Sequence, residues 1–576
     1  MDAHQGVERR LGRTLAVLLA TIALILTAAL PVAAKGGPSS NGLDARSVDV
    51  QLLSINDFHG NLEPPSGSSA RVLTEAGAIE NNGGVEYLAT YIKQLREGHK
   101  YSLTVSAGDN IGASPLLSGY FHDEPAIEAL NALGLDIASV GNHEFDEGYQ
   151  ELLRMQNGGC HPTDGCQDGD GFGGADFQYL SANVFYAGTN ETVFPAYKIE
   201  SMGGVKIGFI GLTLEGTPSI VTPAGVAGLE FRDEAETINA LVPQLQAQHV
   251  QSIVILLHEG GFQATSAFPN TCNGLNGAVV DIVNNLDPAV DVVISGHTHQ
   301  QYNCEMNGML LTSAASFGRL VTDIDLKIDR ATKDVVSASA NNVIVKRDVP
   351  ADPAESAIIA KYAAIVDAVR NAPIGQASGD LLREQVVDES TLGNAIADAQ
   401  LWATTSAPFS AQLAVMNPGG IRADLLCDPG ETAPCTFTFG EAFAVQPFQN
   451  DLVTLTLTGA QIDDLLEQQF NNPGPGENRF LSVSAGFSYS YNPAGAQGDK
   501  VIDSSIMLNG SVLDPLASYR VTGNSFLVSG TGDGFTVFAL ATDRLVGPVD
   551  SNAFVDYIGS HSPLAVPALD RVNIAP

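Results

Sequence analysis

The chain is poor in positive charge. It holds 28 Lys and Arg against 65 Asp and Glu, a formal net charge of −37 over 576 residues. A surface that acidic repels nucleic acid and anionic lipid, so no nucleic-acid polymer is expected as a partner. It also repels small anions at long range. Any phosphate site must therefore carry its own local positive charge, which metal ions can supply. Cysteine is scarce as well, six in all and none in a paired C-x-x-C, which argues against a thiolate zinc site. Proximity pairs Cys160 with Cys166, Cys272 with Cys304 and Cys427 with Cys435, and disulfides suit an oxidising compartment. No internal repeat relates the two halves of the chain. Beyond the first apolar run no second one is long enough to span a membrane.

That first run, Leu15 to Ala33, follows the basic residues Arg9, Arg10 and Arg13 and ends at the small residues Val32-Ala33-Ala34. The pattern reads as a signal peptide over residues 1–34, with an uncleaved anchor as the alternative. Residues 35–47 read as a linker. The expected location is secreted, periplasmic or at the cell surface, with no membrane span left after cleavage. Oligomeric state is not legible.

The length predicts two large domains. Apolar runs and helically spaced stretches alternate: strands at 48–55, 101–105, 136–140, 205–212, 252–257 and 290–294, and helices at 85–95 and 125–133. That alternation predicts an α/β sandwich. A closing antiparallel strand is expected at 320–328. The Gly- and Asp-rich stretch 157–174 reads as a disulfide-closed surface loop rather than a calcium loop, since Asp164, Asp168 and Asp170 lack the full ligand spacing. A helical stripe over 350–370 predicts a helix joining the domains. The expected divisions are 48–345, a linker helix 346–373, and 374–576, the last with its own helix at 392–402.

Five apolar runs end in polar clusters: Asn56-Asp57-Phe58-His59, Gly108-Asp109, Gly141-Asn142-His143-Glu144-Phe145-Asp146, His258-Glu259 and Gly296-His297-Thr298-His299. Strand ends tipped with nitrogen and oxygen ligands predict one convergent site. Imidazole, carboxylate and amide suit Zn, Mn or Co better than calcium. Two such ions clamp an in-line phosphoryl displacement and need a bridging carboxylate, for which Asp109 is the candidate. Asp57 with His59, and His297 with His299, stand two apart, so each pair can reach one ion. Asp146 is placed to fix the tautomer of His143 and keep it protonated.

These ordered motifs resemble the calcineurin-like metallophosphoesterases, and the Phe58 and Phe145-Asp146 positions resemble the exported 5′-nucleotidase branch. The resemblance implies a four-layer α/β/β/α sandwich followed by a second α/β substrate-binding domain. It implies that Asp57, His59, Asp109 and His299 hold one divalent metal, and that Asp109, Asn142, His258 and His297 hold another. His143 with Asp146 would be the catalytic dyad and Glu144 a supporting residue.

In the second half, Asn417-Pro418-Gly419-Gly420-Ile421-Arg422 ends a strand with a Gly turn and an anion-binding Arg. Phe448, Asn450, Phe526 and Asp533 offer aromatic faces and polar groups. By the same resemblance Asn417 and Arg422 contact phosphate or ribose, Phe448 and Phe526 stack a base, Asn450 touches it and Asp533 binds ribose, with Arg383 the nearest further arginine. The expected function is a secreted two-metal phosphohydrolase, a 5′-nucleotidase releasing nucleoside and phosphate from nucleoside 5′-phosphates. The alternatives are a 2′,3′-cyclic-nucleotide 2′-phosphodiesterase/3′-nucleotidase, a UDP-sugar hydrolase, and a non-catalytic exported nucleotide-binding surface protein.

Overall fold

The computed structural model describes residues 46–575, apart from residues 222, 223, 265, 266, 449, 473, 475 and 531. The signal peptide at 1–34 and all but the last two residues of the 35–47 linker lie outside the described residues. Among the described residues no helix is long and apolar enough to cross a membrane.

The first half alternates strand and helix. In chain order its main elements are β1 (Ser47–Ile55), α1 (Val85–Arg96), β2 (Ser102–Ser106), α2 (Glu124–Leu133), β3 (Ile137–Ser139), α3 (Tyr149–Asn157), β4 (Gln178–Leu180), β5 (Tyr197–Met202) and β6 (Val205–Thr213). Then come α4 (Glu234–Ala247), β7 (Ser252–His258), α5 (Ala278–Asn284), β8 (Val292–Ser295), β9 (Gln301–Met306), β10 (Met309–Ala314), β11 (Leu320–Asp329), β12 (Val335–Ile344) and α6 (Pro353–Arg370).

Two six-stranded sheets result, in the orders β12-β11-β1-β2-β3-β4 and β9-β10-β8-β7-β6-β5. Each has a parallel centre: β1, β2, β3 and β4 run parallel in one, and β6, β7, β8 and β10 in the other. Antiparallel strands close the edges, β11 pairing with β1 over eight residues in register from Ser47 with Asp329.

Alternation along β1 explains the layering. Val48, Val50 and Leu52 point to one face and meet Val105, Phe209, Leu256 and Ile294 between the sheets. Leu53 and Ile55 point to the other and pack on α1, α2 and α6 residues such as Leu88, Ile127 and Tyr362. A strand buried on both faces reads as a near-continuous apolar run. The outer face of the second sheet packs on α4 and α5 through Ile238, Val242, Leu245, Val279 and Val283. The order of layers is therefore α/β/β/α.

Helix α6 begins at Pro353, three residues later than the periodicity places it. Asp352 caps it by accepting from the Ala354 amide, and Pro at the first helical position is preorganised for the turn. Its Tyr362 and Val366 are buried in the first half's core, each such burial contributing about 1.5–3 kcal/mol. Lys361 reaches Asp168 at 2.8 Å in the Cys160–Cys166 region. The helix therefore packs on the first half.

The second half builds a five-stranded sheet from β13 (Leu413–Met416), β14 (Asp451–Thr458), β15 (Ser482–Val483), β16 (Ser518–Asn524) and β17 (Thr542–Val549), in the order β15-β13-β16-β14-β17. Its helix α7 (Thr391–Thr404) is capped by Ser390, which accepts from the Gly393 amide. All three proximity-paired disulfides form, Cys160–Cys166, Cys272–Cys304 and Cys427–Cys435.

Candidate active site

Every predicted ligand of the first half sits at the carboxyl end of a parallel strand: Asp57 and His59 after β1, Asp109 after β2, Asn142 after β3, His258 ending β7, and His297 and His299 after β8. Open α/β sheets bind ligands at these ends. Five of the seven, Asp57, His59, Asp109, His297 and His299, have left-handed backbones with φ of 50°, 48°, 51°, 68° and 54°. Such residues cost of order 1–3 kcal/mol each and persist where their surroundings over-determine them. Here the turns brace one another: the Asp57 amide donates to Gly108 O and the His59 amide to Asp109 O, both at 3.0 Å. Gly141 is required by close approach, because a Cβ there would stand 2.2 Å from Asp109 Oδ1.

The donors gather in two adjoining groups, Asp57 with His59 and His299, and Asp109 with His258 and His297. In the first, Nε2 of His59 and Nε2 of His299 are 3.1 Å apart, and His299 Nε2 is 3.4 Å from Asp57 Oδ1. In the second, His258 Nε2 is 3.0 Å from Asp109 Oδ2 and 3.1 Å from Asn142 Oδ1, and His297 Nδ1 is 3.0 Å from the same Asn142 oxygen. His59 Nε2 lies 3.7 Å from Asp109 Oδ2, which places Asp109 between the groups.

This donor set fits divalent cations. His59 directs Nδ1 to Gly112 O at 2.8 Å, and His258 directs Nδ1 to Ala107 O at 2.7 Å. With the ring proton held there, each Nε2 presents a lone pair to the cluster, the orientation typical of a ligating imidazole. The charges agree. Burial pushes Asp57 up to about 7. Burial also raises Asp109, but His258 and His143 outweigh it and hold that carboxyl well below its usual range. Burial, with the charge of His258, drives His297 down to about 3. Burial lowers His258, but the Asp109 carboxylate outweighs it and raises it to about 10, so a cation would displace that proton, while His297 already faces the cluster as a neutral acceptor.

His143 lies beside this set and bonds Asp146, Nδ1 to Oδ2 at 2.8 Å. Burial lowers its pKa, but the charges of Asp146 and Asp109 overcome that and raise it above the ordinary histidine value. Glu144 points the other way, into the backbone. Its carboxylate accepts from the amides of Asp109 (3.0 Å), Asn110 (2.7 Å) and Gly141 (2.6 Å), tying the β2 and β3 turns together.

A cleft of about 2090 Å³ joins these residues to the second half, and Arg383, Asn417, Arg422, Phe448, Asn450, Phe526 and Asp533 all line it. Phe448 stacks on His143, and the Arg422 guanidinium lies 5.7 Å from the Phe448 ring centre. Arg422 keeps one buried guanidinium nitrogen, Nη2, without a hydrogen-bond partner. Asn417 donates to Asp533 Oδ2 at 2.6 Å. Asn450 Oδ1 accepts from the Ser525 hydroxyl at 3.1 Å, next to Phe526. Arg383 donates through Nη1 to the Arg422 carbonyl, so it steadies the Arg422 turn.

Sequence reasoning passed over three residues here. Arg479 pairs with Asp533 at 2.9 Å, Asn472 donates to the Asp533 carbonyl at 2.9 Å, and Asn524 donates to Asn417 Oδ1 at 2.9 Å. Arg479 stands alone after a Pro- and Gly-rich stretch of sequence and has no motif. Asn524 ends β16, the one position whose strand-end placement signalled it.

Comparison with known proteins matches residues 50–301 to the family described as Calcineurin-like phosphoesterase and residues 373–540 to the one described as 5′-nucleotidase, C-terminal domain. Endonuclease YhcR of Bacillus subtilis is 33% identical over 533 residues, 92% of this chain and 41% of the relative. Cell wall protein Lmo0130 of Listeria monocytogenes is 31% identical over 541 residues, 89% of this chain and 67% of the relative. The chain thus spans less than half the length of the first. The crystal structure of a 5′-nucleotidase precursor from Thermus thermophilus superposes with a TM-score of 0.74 at 26% identity, covering 92% of this chain and all of the other.

Proposed function

The chain belongs to the calcineurin-like phosphoesterase family, in the branch with a 5′-nucleotidase C-terminal domain, and is a metal-dependent phosphoesterase; from that premise we propose that it hydrolyses nucleoside 5′-phosphates to nucleoside and phosphate. The carrying observation is Arg422. Burial and the neighbouring Arg383 lower its pKa only to about 10, so it stays cationic at neutral pH. Arg422 lines the cleft shared by His143 and the aromatic residues and keeps an unpartnered Nη2, where a phosphate ester carrying a base would bridge both halves.

In this reading residues 48–345 hold the metals, residues 374–576 hold the nucleoside, and the helix-bearing segment 346–373 joins them. Asp57, His59, Asp109 and His299 would hold one Zn, Mn or Co ion, and Asp109, Asn142, His258 and His297 the other. Bound cations supply Lewis-acid polarisation of the phosphoryl group and lower the pKa of water at the site. His143 is oriented by Asp146 through Nδ1, which leaves Nε2 to donate to the charge that grows on the phosphoryl oxygens. Glu144 fixes the turns carrying Asp109 and Asn142. Phe448 and Phe526 offer faces to the base, with Asn450 at its edge. Asp533, held by Asn417 and Arg479, accepts from the ribose hydroxyls. The three disulfides support an exported protein, secreted, periplasmic or at the cell surface.

The test is a substrate panel on the purified chain loaded with Mn, Co or Zn: AMP, 3′-AMP, 2′,3′-cyclic AMP, UDP-glucose and bis-p-nitrophenyl phosphate. Fastest phosphate release from AMP is expected. No release from any nucleoside monophosphate, with bound metal verified, overturns the reading. Faster turnover of the cyclic nucleotide or of the UDP-sugar moves the assignment to that ester.

A further inference from the structure

A second cluster of imidazoles and carboxylates lies at the rim of the cleft, outside the dinuclear set. His122 immediately precedes the Asp123 cap of α2. Glu147 and Glu151 belong to the turn before α3 and to α3 itself. His161 and Asp164 sit in the loop closed by Cys160–Cys166. One ligand-capable atom from each of His122, Glu147, Glu151 and His161 lies within 4.8 Å of the others. The two imidazoles stack, with ring centres 3.8 Å apart and planes 16° from parallel.

The hydrogen bonds of His122 have the polarity of a metal site. His122 Nδ1 faces Glu147 Oε2 at 2.7 Å, while its Nε2 reaches Asp164 Oδ2 at 2.9 Å. Asp164 Oδ2 also lies 3.5 Å from His161 Nδ1. This carboxylate outside the cluster thus holds the ring proton of His122 and stands beside His161 Nδ1, where it can hold that ring's proton once the tautomer shifts, the partner that ligating histidines commonly have. Glu151 is fixed by Arg154, which donates to it through Nε at 2.9 Å and Nη2 at 2.6 Å. These bonds leave carboxylate lone pairs free.

We propose that His122, His161, Glu147 and Glu151 form a third metal site for a borderline divalent cation of the zinc class, with Asp164 orienting both imidazoles. Two nitrogens and two carboxylate oxygens match a four-coordinate zinc sphere and do not match the all-oxygen sphere of calcium. The Asp164 amide stands 3.2 Å from His161 Nδ1; on binding, that nitrogen takes the ring proton and turns it to Asp164 Oδ2, freeing Nε2. The site ties the disulfide loop to the turn carrying Asp123. Asp123 in turn accepts from the Gly112 amide at 2.9 Å, and Gly112 O accepts from His59. A cation here lies three links from the dinuclear centre and does not touch it.

The competing arrangement is an imidazolium: hydrogen bonding to Glu147 outweighs burial and lifts His122 to about 9. Zinc stoichiometry separates the two. The full chain is saturated with zinc, passed through gel filtration, and its metal content per chain measured for the native protein, His161→Ala and Glu147→Gln. The proposal expects one equivalent fewer in either variant, with turnover of AMP within about twofold of native. Glu147, 46% exposed, is the variant least able to disturb folding. Equal zinc content in all three proteins overturns the proposal.

Discussion

The ring of Phe448 lies on the imidazole of His143, centres 5.6 Å apart and planes 26° from parallel. One residue comes from the second half and the other from the proposed reaction centre of the first, so in that reading the aromatic face and the phosphate chemistry would share one space. A base stacked on Phe448, as proposed, would be held beside His143. Phe448→Ala should raise KM for AMP about tenfold, the loss of one base–aromatic stack. KM for glycerol phosphate, which has no base, should stay near its native value. Steady-state kinetics on both substrates check this, and equal rises in KM remove Phe448 from base recognition.

His143 falls near both Asp109 and His59, and those three also form a geometrically possible metal group. Its bond to Asp146 supports the proposed role in proton donation instead. His143→Ala should lower kcat about 10²–10⁴-fold, the range for a positioned acid, with metal content unchanged by elemental analysis. Metal lost in step with activity would make His143 a ligand.

Glu144 is buried and accepts three backbone amides, two on Oε2 and one on Oε1. Glu144→Gln keeps the shape, but whichever way the amide turns its NH₂ confronts at least one N–H. The turn that carries Asp109 should loosen, and metal affinity should fall about 10–100-fold, as for other residues that support ligands from outside the coordination sphere. Zinc titration of the apo-protein measures it. Unchanged affinity with lowered thermal stability would confine Glu144 to folding.

Arg479 holds Asp533 from the side opposite Asn417. Arg479→Ala should free that carboxylate, whose backbone already sits in the left-handed region at φ 52°. KM for AMP should rise about three- to tenfold, the scale of one ordinary hydrogen bond lost indirectly through a misplaced carboxylate. 2′-Deoxy-AMP and 3′-deoxy-AMP, run beside AMP, report whether the loss passes through the ribose hydroxyls.

The gathering of the seven candidate ligand side chains was legible because each ends or closely follows a β-strand, so a short apolar run announces a polar donor a few positions later. Asp57, Asp109 and His258 are the clearest cases. The three disulfides were legible for a similar reason, since each closes a local loop. The left-handed conformation of His297 and His299 was not legible, because only tertiary bracing holds a histidine there. Arg479 and Asn472 reach Asp533 from irregular chain with no period to read. His122 and His161 meet only because the Cys160–Cys166 loop folds back onto α2, and neither residue has a ligand neighbour in sequence to give it away.

Glu355 carries the last prediction. It lies in the first turn of α6, fully buried, with both carboxylate oxygens lacking a hydrogen-bond partner. Burial, reinforced by the charge of Asp352, raises its pKa from an ordinary 4.5 to about 8, against a smaller lowering by Lys93. The folded chain therefore keeps a proton that the unfolded chain releases. Stability from this group is complete below about pH 4.5, declines as pH rises, and is gone above about 8. Glu355→Gln replaces the acid with a neutral amide of the same size and removes that dependence. The difference in Tm between variant and native should grow in the variant's favour between pH 5 and pH 8, by about 1–2 °C for each kcal/mol regained in a unit of this size. Subtracting the two melting curves cancels every other titrating group. A difference that stays constant across that range would mean the buried carboxyl has found a partner in solution.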